Sequence, residues 1–291
     1  MKIGVFGSGY QEDKYPLIWQ LFGKLNALGT AVYVKQDLYD FLVNKLDYRP
    51  TIAGVLKDRL FDLDLALSVG GDGTFLQTAV QIHKQHIPIL GINTGRLGFL
   101  ADVSANQIEE TLEELFHHNY KTEERMLLEL HTEKPVFEGY GYALNEVAIQ
   151  KRDTSSMITI HTSLNNEYLT SYQADGLVIA TPTGSTAYSM SVNGPIILPQ
   201  NDNIVLSPVA PHSLNVRPLV IPGSYRITLT VESRTQSFLI SLDGRSEVFS
   251  TNTRLTVDKA GFTTCVIKRY QHTFYQTLHE KLMWGVDKRV K

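Results

Sequence analysis

The apolar run Leu65-Ala66-Leu67-Ser68-Val69, followed at once by Gly70-Gly71-Asp72-Gly73-Thr74 and a helix-like segment over 75–86, constrains the fold more than any other stretch. A short apolar run closed by glycines reads as a buried strand. Three glycines within four residues let the backbone turn tightly and approach a ligand with no side chain in the way. Feeding a helix, such a turn presents backbone N–H groups and the positive end of the helix dipole, a setting that suits phosphate. The carboxylate of Asp72 would repel a bare phosphate. It is accounted for if it meets a hydroxyl proton or a metal ion beside the phosphate, which points to phosphoryl transfer. The same residues also read as a glycine turn whose aspartate caps the next helix. Taken alone they leave both readings open.

Strand and helix signals alternate through the first third of the chain. Residues 2–6 form a short apolar strand pattern that ends at Gly7. Leu17, Leu21, Leu25 and Leu28 recur at helical spacing, with Gly29 as a stop. Residues 31–34 read as a second strand, and Leu38, Phe41, Leu42 and Leu46 outline another helix face. Residues 87–92 read as a strand running into Asn93-Thr94-Gly95-Arg96-Leu97-Gly98. Ser104 and Gln107 make a capping-box pattern ahead of Ile108, Leu112, Leu115 and Phe116. The alternation predicts an α/β domain over residues 1–125, a Rossmann-like parallel sheet covered by helices. In that architecture ligands bind beyond the carboxyl ends of the strands, where the loops at Gly70 and Asn93 both fall.

From about Met126 the texture changes to short strands, at 142–149, 157–162, 168–173, 177–180, 226–231 and 238–242, with a turn signal at Asn165-Asn166. This spacing predicts a second, all-β, sandwich-like domain over 126–269. Residues 273–284 read as a helix with Leu278 and Leu282 on one side. It is expected to pack back on the first domain, which residues 270–291 then join.

A chain of 291 residues, 43% hydrophobic and 20% charged, can bury a large core and has an ordinary globular composition. Thirty acidic against 27 basic side chains leave a net charge of −3, which favours neither nucleic acid nor an anionic membrane. The basic end Lys288-Arg289-Val290-Lys291 reads as solvated. No apolar run reaches membrane-spanning length, and the apolar run within residues 1–6 is too short for a signal peptide. The single cysteine, Cys265, excludes an internal disulfide and fits a reducing compartment. Within Thr264-Cys265-Val266-Ile267 it reads as a small buried strand residue rather than a nucleophile. A cytoplasmic protein is expected.

Residues 176–201 contain no Asp, Glu, Lys or Arg, yet are too polar for a membrane span. They include Thr181-Pro182-Thr183-Gly184-Ser185-Thr186-Ala187-Tyr188-Ser189, again a strand, tight turn and helix start. Hydroxyls and backbone N–H groups there suit a polar, planar or phosphorylated ligand. Close helix packing through small residues would use the same pattern. Asn145-Glu146 interrupts an otherwise apolar strand, and strand neighbours face opposite ways, so one polar side chain should point inward. An asparagine beside a carboxylate suits ribose hydroxyls; a polar step at a strand edge is the plainer alternative. The G-x-x-x-x-G-K-[ST] and G-x-S-x-G motifs are absent. Gly7-Ser8-Gly9-Tyr10-Gln11-Glu12 starts like a dinucleotide fingerprint but lacks its third glycine. The pairs His83/His86 and His117/His118 lack partners at metal-site spacing.

Together, GGDGT at 70–74, NTGRLGFL at 93–100, LNE at 144–146 and DGLVIATPTGSTAYS at 175–189 resemble the NAD kinase family, and in this order the resemblance spans essentially the whole chain. GGDGT alone is shared with diacylglycerol and sphingosine kinases and 6-phosphofructokinases; the TPTGSTAYS block and the upstream Asn-Glu pair separate the NAD kinases from them. The resemblance implies ATP-dependent phosphorylation of the 2′-hydroxyl of the adenosine ribose of NAD, giving NADP. It implies Asp72 as catalytic carboxylate, contacting the substrate with Gly73. It further implies NAD contacts from Asn145, Glu146, Asp175, Thr186, Ala187, Tyr188 and Ser189, and from Ser156, Ala210 and Arg245. Gly70, Gly71, Gly73, Thr74, Asn93, Thr94 and Gly95 would form the phosphate loops. Mg²⁺ or another divalent cation would arrive with ATP, with no dedicated metal cage. A homodimer or homotetramer is implied, with part of the site from a neighbouring subunit. A lipid kinase with the same loop, or a non-catalytic NADP(H) sensor, is the alternative.

Overall fold

The computed structural model describes residues 1–7, 15–57, 60–133, 136–152 and 156–285. Most of the Gly7–Glu12 fingerprint and the basic end 288–291 lie outside them. The chain divides into two compact units, one made of Met1–Glu124 with Cys265–Lys291 and the other of Arg125–Thr264.

The first unit runs β1 (Lys2–Gly7), α1 (Tyr15–Ala27), β2 (Ala31–Lys35), α2 (Gln36–Asn44), β3 (Gly54–Leu56), β4 (Leu65–Gly70), α3 (Asp72–Ile82), β5 (Ile89–Asn93) and α4 (Ile108–Phe116). Its strands pair in parallel in the order β5-β4-β1-β2-β3. All six residues of β4 are buried, as a strand covered on both faces requires. The helices lay Leu17, Leu21, Leu25, Leu38, Leu42, Leu112 and Leu115 into one core with Val5, Val34, Leu67 and Leu90. Each such fully buried side chain contributes roughly 1.5–3 kcal/mol.

The second unit's elements are β6 (Lys121–His131), β7 (Tyr142–Ala143), β8 (Glu146–Lys151), β9 (Ile158–Leu164), β10 (Glu167–Ala174), β11 (Gly176–Ala180), α5 (Tyr188–Ser191), β12 (Asn203–Val209), β13 (Leu219–Pro222), β14 (Ile227–Glu232), β15 (Ser237–Leu242) and β16 (Arg245–Ser250). β17 (Leu255–Lys268) and α6 (Phe274–Leu282) follow. The first four residues of β6 and the last four of β17 belong to the first unit. One antiparallel sheet has the order β13-β12-β11-β8-β15-β16, and the second unit also pairs β10, β9, β14 and β17 antiparallel. Alternate residues of both, including Val147, Ile149, Ile179, Ile160, Leu229 and Ile240, share one core, as in a sandwich. Asn165 and Asn166 take φ of 49° and 70° at the tight β9–β10 turn.

The architecture is the α/β plus all-β arrangement expected, with differences at element ends. α3 begins at Asp72 rather than at 75, because Gly71 serves as its N-cap, and it stops at Ile82. Leu46 lies beyond α2, which ends at Asn44. The strand expected over 142–149 is broken at Leu144-Asn145 into β7 and β8. α6 starts after Thr273, whose side chain makes a capping box with Gln276, and ends where Met283 turns left-handed at φ 52°. It lies in the first unit, where Phe274 meets Phe99 with ring centroids 6.0 Å apart. Cys265 is 8% exposed, and burial pushes its thiol up to about 11, as befits an inert strand residue. Among the described residues no helix is long and apolar enough to cross a membrane.

Candidate functional site

In the first unit, β4 ends in Gly70 and α3 starts two residues later, with no side chain capping its N-terminus. Asp72 is therefore not the cap of its own helix. Its carboxylate accepts three consecutive backbone N–H groups instead, Phe99 at Oδ2 and Leu100 and Ala101 at Oδ1, each at 3.0 Å. Gly98 permits this approach, since a Cβ there would stand 1.9 Å from Asp72 Oδ1. From α6, Lys281 Nζ lies 3.3 Å from Asp72 Oδ2 and 4.6 Å from the centroid of the Phe99 ring. Burial alone pushes the Asp72 carboxyl up. The N–H groups of Ala101 and Phe99, the Lys281 charge and the Leu100 N–H outweigh it and hold the group below the ordinary carboxylate range.

The neighbouring loop at 93–95 is held by its own hydrogen bonds. Asn93 is buried; its Nδ2 donates to the carbonyls of Arg96 and Ala101, and its Oδ1 accepts the Gly95 N–H at 2.6 Å. Thr94 N–H donates to the Gly70 carbonyl at 3.3 Å. These groups shape the loop that presents residues 99–101 to Asp72. A buried ion pair, Lys268 Nζ to Asp102 Oδ2 at 2.6 Å, ties down its far end.

In the second unit, the break between β7 and β8 is organised by Asp243. Its Oδ2 accepts the N–H of Leu144 at 2.7 Å, and its Oδ1 those of Asn145 and Glu146 at 2.9 and 3.0 Å. These amides turn to a carboxylate instead of continuing a ladder. The Thr181–Gly184 turn is bolted to the same break: Thr181 Oγ1 donates to the Leu144 carbonyl at 2.6 Å, and Thr181 N–H to that of Asn145 at 2.8 Å. Gly184 is required because a Cβ there would lie 2.1 Å from the Asn145 carbonyl oxygen. Asn145 Oδ1, Glu146 Oε2 and Thr183 Oγ1 are all buried and have no hydrogen-bond partner. Orphaned atoms of this kind are costly in a protein interior unless a ligand meets them.

Two half-buried carboxyls share this region. Burial, then the Asp243 charge, pushes Glu146 up to about 8, against a smaller opposing effect of the Tyr188 N–H. Burial also raises Asp243, but the three amides and Arg245 favour its charged form. Both carboxyls are therefore held above the ordinary carboxylate range.

The other expected residues behave differently from one another. Asp175 pairs with Lys151 at 2.7 Å and is 36% exposed at the side chain. Tyr188 is half-buried, its hydroxyl accepting from Gln150 Nε2 at 3.1 Å. Thr186 and Ala187 are half-buried on the same turn, and Ser156 is half-buried ahead of β9. Ala210 is exposed with φ 43°. Ser189 is fully buried and its hydroxyl pairs with that of Ser207 at 3.0 Å. Arg245 donates to the carbonyls of Tyr140 and Tyr142 at 2.9 and 2.6 Å and stacks on the rings of Phe137 and Tyr140. It braces β7.

The family model of the ATP-NAD kinase N-terminal domain matches residues 20–120, and that of the C-terminal domain matches residues 144–268. The chain belongs to the NAD kinase family. It is 50% identical over 290 residues to the NAD kinase of Bacteroides fragilis, covering 100% of both chains. It is 46% identical to that of Porphyromonas gingivalis, covering 99% of both. Among solved structures, the yeast NADH kinase complexed with NADH superposes with a TM-score of 0.88 at 22% identity, covering 100% of this chain and 90% of that one, a likeness of fold. An Archaeoglobus fulgidus NAD kinase in complex with ATP superposes with a TM-score of 0.77 at 25% identity, covering 97% and 99%. Membership makes the chain a nucleotide-binding phosphotransferase. Within this NAD kinase fold, sequence reasoning missed Lys281 and Asp243, whereas Thr183 lies in the hydroxyl-rich segment it had singled out. Only Asp243 carried a usable signal, an Asp-Gly pair between two alternating strands.

Proposed function

We propose that the chain transfers the γ-phosphoryl group of ATP to the 2′-hydroxyl of the adenosine ribose of NAD, giving NADP, with Asp72 receiving the hydroxyl proton. The observation that carries this reading is the Asp72 carboxylate held by three backbone amides beside the uncapped N-terminus of α3. Phosphoryl transfer asks mainly for alignment and charge neutralisation, and the proton leaves late. A carboxylate with a lowered pKa is adequate when it lies within hydrogen-bond reach of the hydroxyl. Gly70, Gly71, Gly73 and Thr74 line the turn that would receive phosphate oxygens. Asn145, Glu146 and Thr183 offer orphaned polar atoms that suit NAD hydroxyl and amide groups, with Asp175, Thr186, Ala187 and Tyr188 beside them in the sequence.

Further assignments rest on the same reading. Residues 126–269 form the NAD-binding domain, and residues 1–125 with 270–291 the domain of the GGDGT loop. The protein is a cytoplasmic homodimer or homotetramer, and a neighbouring subunit supplies part of the NAD site. Among the described residues no three His, Cys, Asp or Glu side chains are grouped to hold a metal ion. A divalent cation carried by the triphosphate would offset its charge. The test is NADP formation from NAD and ATP–Mg²⁺ by the wild type and by Asp72→Asn. A loss of roughly 10²–10⁴-fold in kcat is expected for the variant. Wild-type turnover by Asp72→Asn would remove Asp72 from the mechanism, and a wild type that makes no NADP would refute the activity.

A further inference from the structure

A carboxylate has about four lone-pair sites, two on each oxygen. In Asp72 the two on Oδ1 are taken by the N–H groups of Leu100 and Ala101, and the two on Oδ2 by the Phe99 N–H and Lys281 Nζ. A substrate hydroxyl can donate to this group only by displacing one of the four donors. Three of them are main-chain amides of a loop fixed at Asn93 and Asp102. The fourth is a point charge on a flexible four-carbon stem, with its side chain 30% exposed. Lys281 is thus the donor that gives way, and it keeps its positive charge when it does.

The transferring phosphoryl group needs such a charge. Neither glycine-rich loop carries a cation at its turn except Arg96, which is exposed and uses its carbonyl on Asn93. Among the described residues near Asp72, Lys268 is buried against Asp102. We propose that Lys281 is a catalytic cation of the transfer reaction, capping the Asp72 carboxylate until the acceptor hydroxyl takes that place and then bonding the transferring phosphoryl group. This rests on the kinase reading above and adds a residue to it. In the step, the acceptor oxygen forms a bond to the γ-phosphorus as the bond from that phosphorus to the β–γ bridging oxygen breaks. The hydroxyl proton passes to Asp72, ADP leaves, and Lys281 keeps all its protons while it bonds the equatorial oxygens.

The test compares wild type, Lys281→Met, Lys281→Arg and Asp72→Asn in NADP formation from NAD and ATP–Mg²⁺, with thermal melting alongside. Methionine keeps the apolar stem over Phe99 and removes only the charge. The expected result is a kcat lower by roughly 10²–10³-fold in Lys281→Met, the range for losing one transition-state donor. The KM for NAD should not rise, because a competitor for Asp72 has gone, and Lys281→Arg should recover part of kcat. Three results would overturn the proposal. One is a Lys281→Met kcat within twofold of wild type. Another is a loss matched by a fall in melting temperature and not rescued by arginine. The third is an unchanged plateau kcat with only the acid limb of the pH profile moved upward, which would mean that Lys281 acts solely through the charge of Asp72. A wild type that turns over while Asp72→Asn does not leaves the kinase reading standing whichever way Lys281 falls.

Discussion

Replacing Asp243 by asparagine isolates the device that shapes the Asn145-Glu146 break. Asp243 and Gly244 form the two-residue turn between β15 and β16, with φ of 49° and 84°. Asparagine adopts that left-handed backbone readily, so the hairpin survives the change. The amide keeps one oxygen, able to hold the Asn145 and Glu146 N–H groups now at 2.9 and 3.0 Å, and turns its NH₂ toward the Leu144 N–H now accepted at 2.7 Å. One charge-assisted bond, worth about 1.5–3 kcal/mol, is lost and a buried N–H faces another donor. Relief of the buried charge beside Glu146 offsets part of this, leaving an expected loss of about 2 kcal/mol. Urea unfolding of the second unit, followed with amide hydrogen exchange at 144–146, measures it. A variant within about 0.5 kcal/mol of wild type, with those amides equally protected, would refute the claim that Asp243 holds the break open.

Other outcomes follow from the same geometry. Glu146 sits at about 8 in the folded chain against 4.5 as a free group, so the fold holds its proton more tightly across that window. Its contribution is complete below pH 4.5 and is lost as pH rises to about 8, at up to roughly 1.4 kcal/mol per pH unit. Unfolding curves of Glu146→Gln should lack that slope, and an identical pH profile would contradict it. Asp72 shifts the other way, so its contribution is present above the free-carboxyl value of 3.8 and is lost as pH falls through its lowered folded value. Acid unfolding of Asp72→Asn should show a shallower dependence there than wild type. Gly98→Ala drives a methyl into Asp72 Oδ1, 1.9 Å from the ideal Cβ position. It should cost roughly 1–3 kcal/mol in thermal or urea unfolding and lower kcat, whereas an unperturbed variant would mean that the 98–101 loop yields freely.

The sequence by itself determined the kind of fold and the segments that carry chemistry. Residues 65–70, the glycines after them and the helix that follows make a purely local pattern, and the capping box at Ser104 needs only its own neighbours. Such signals are legible because hydrophobic period and turn chemistry act within a few residues. Tertiary structure decided what those segments do to one another. Asp72 looked like a helix cap or an open base, and only the fold turned it toward amides 27–29 residues away and a lysine 209 residues away. Asn145-Glu146 looked like a flaw in one strand, and only Asp243, 97–99 residues downstream, turned it into a break with orphaned polar atoms. A bond between one side chain and a distant run of main-chain N–H groups leaves no period in the sequence, since every residue carries the same amide whatever its side chain.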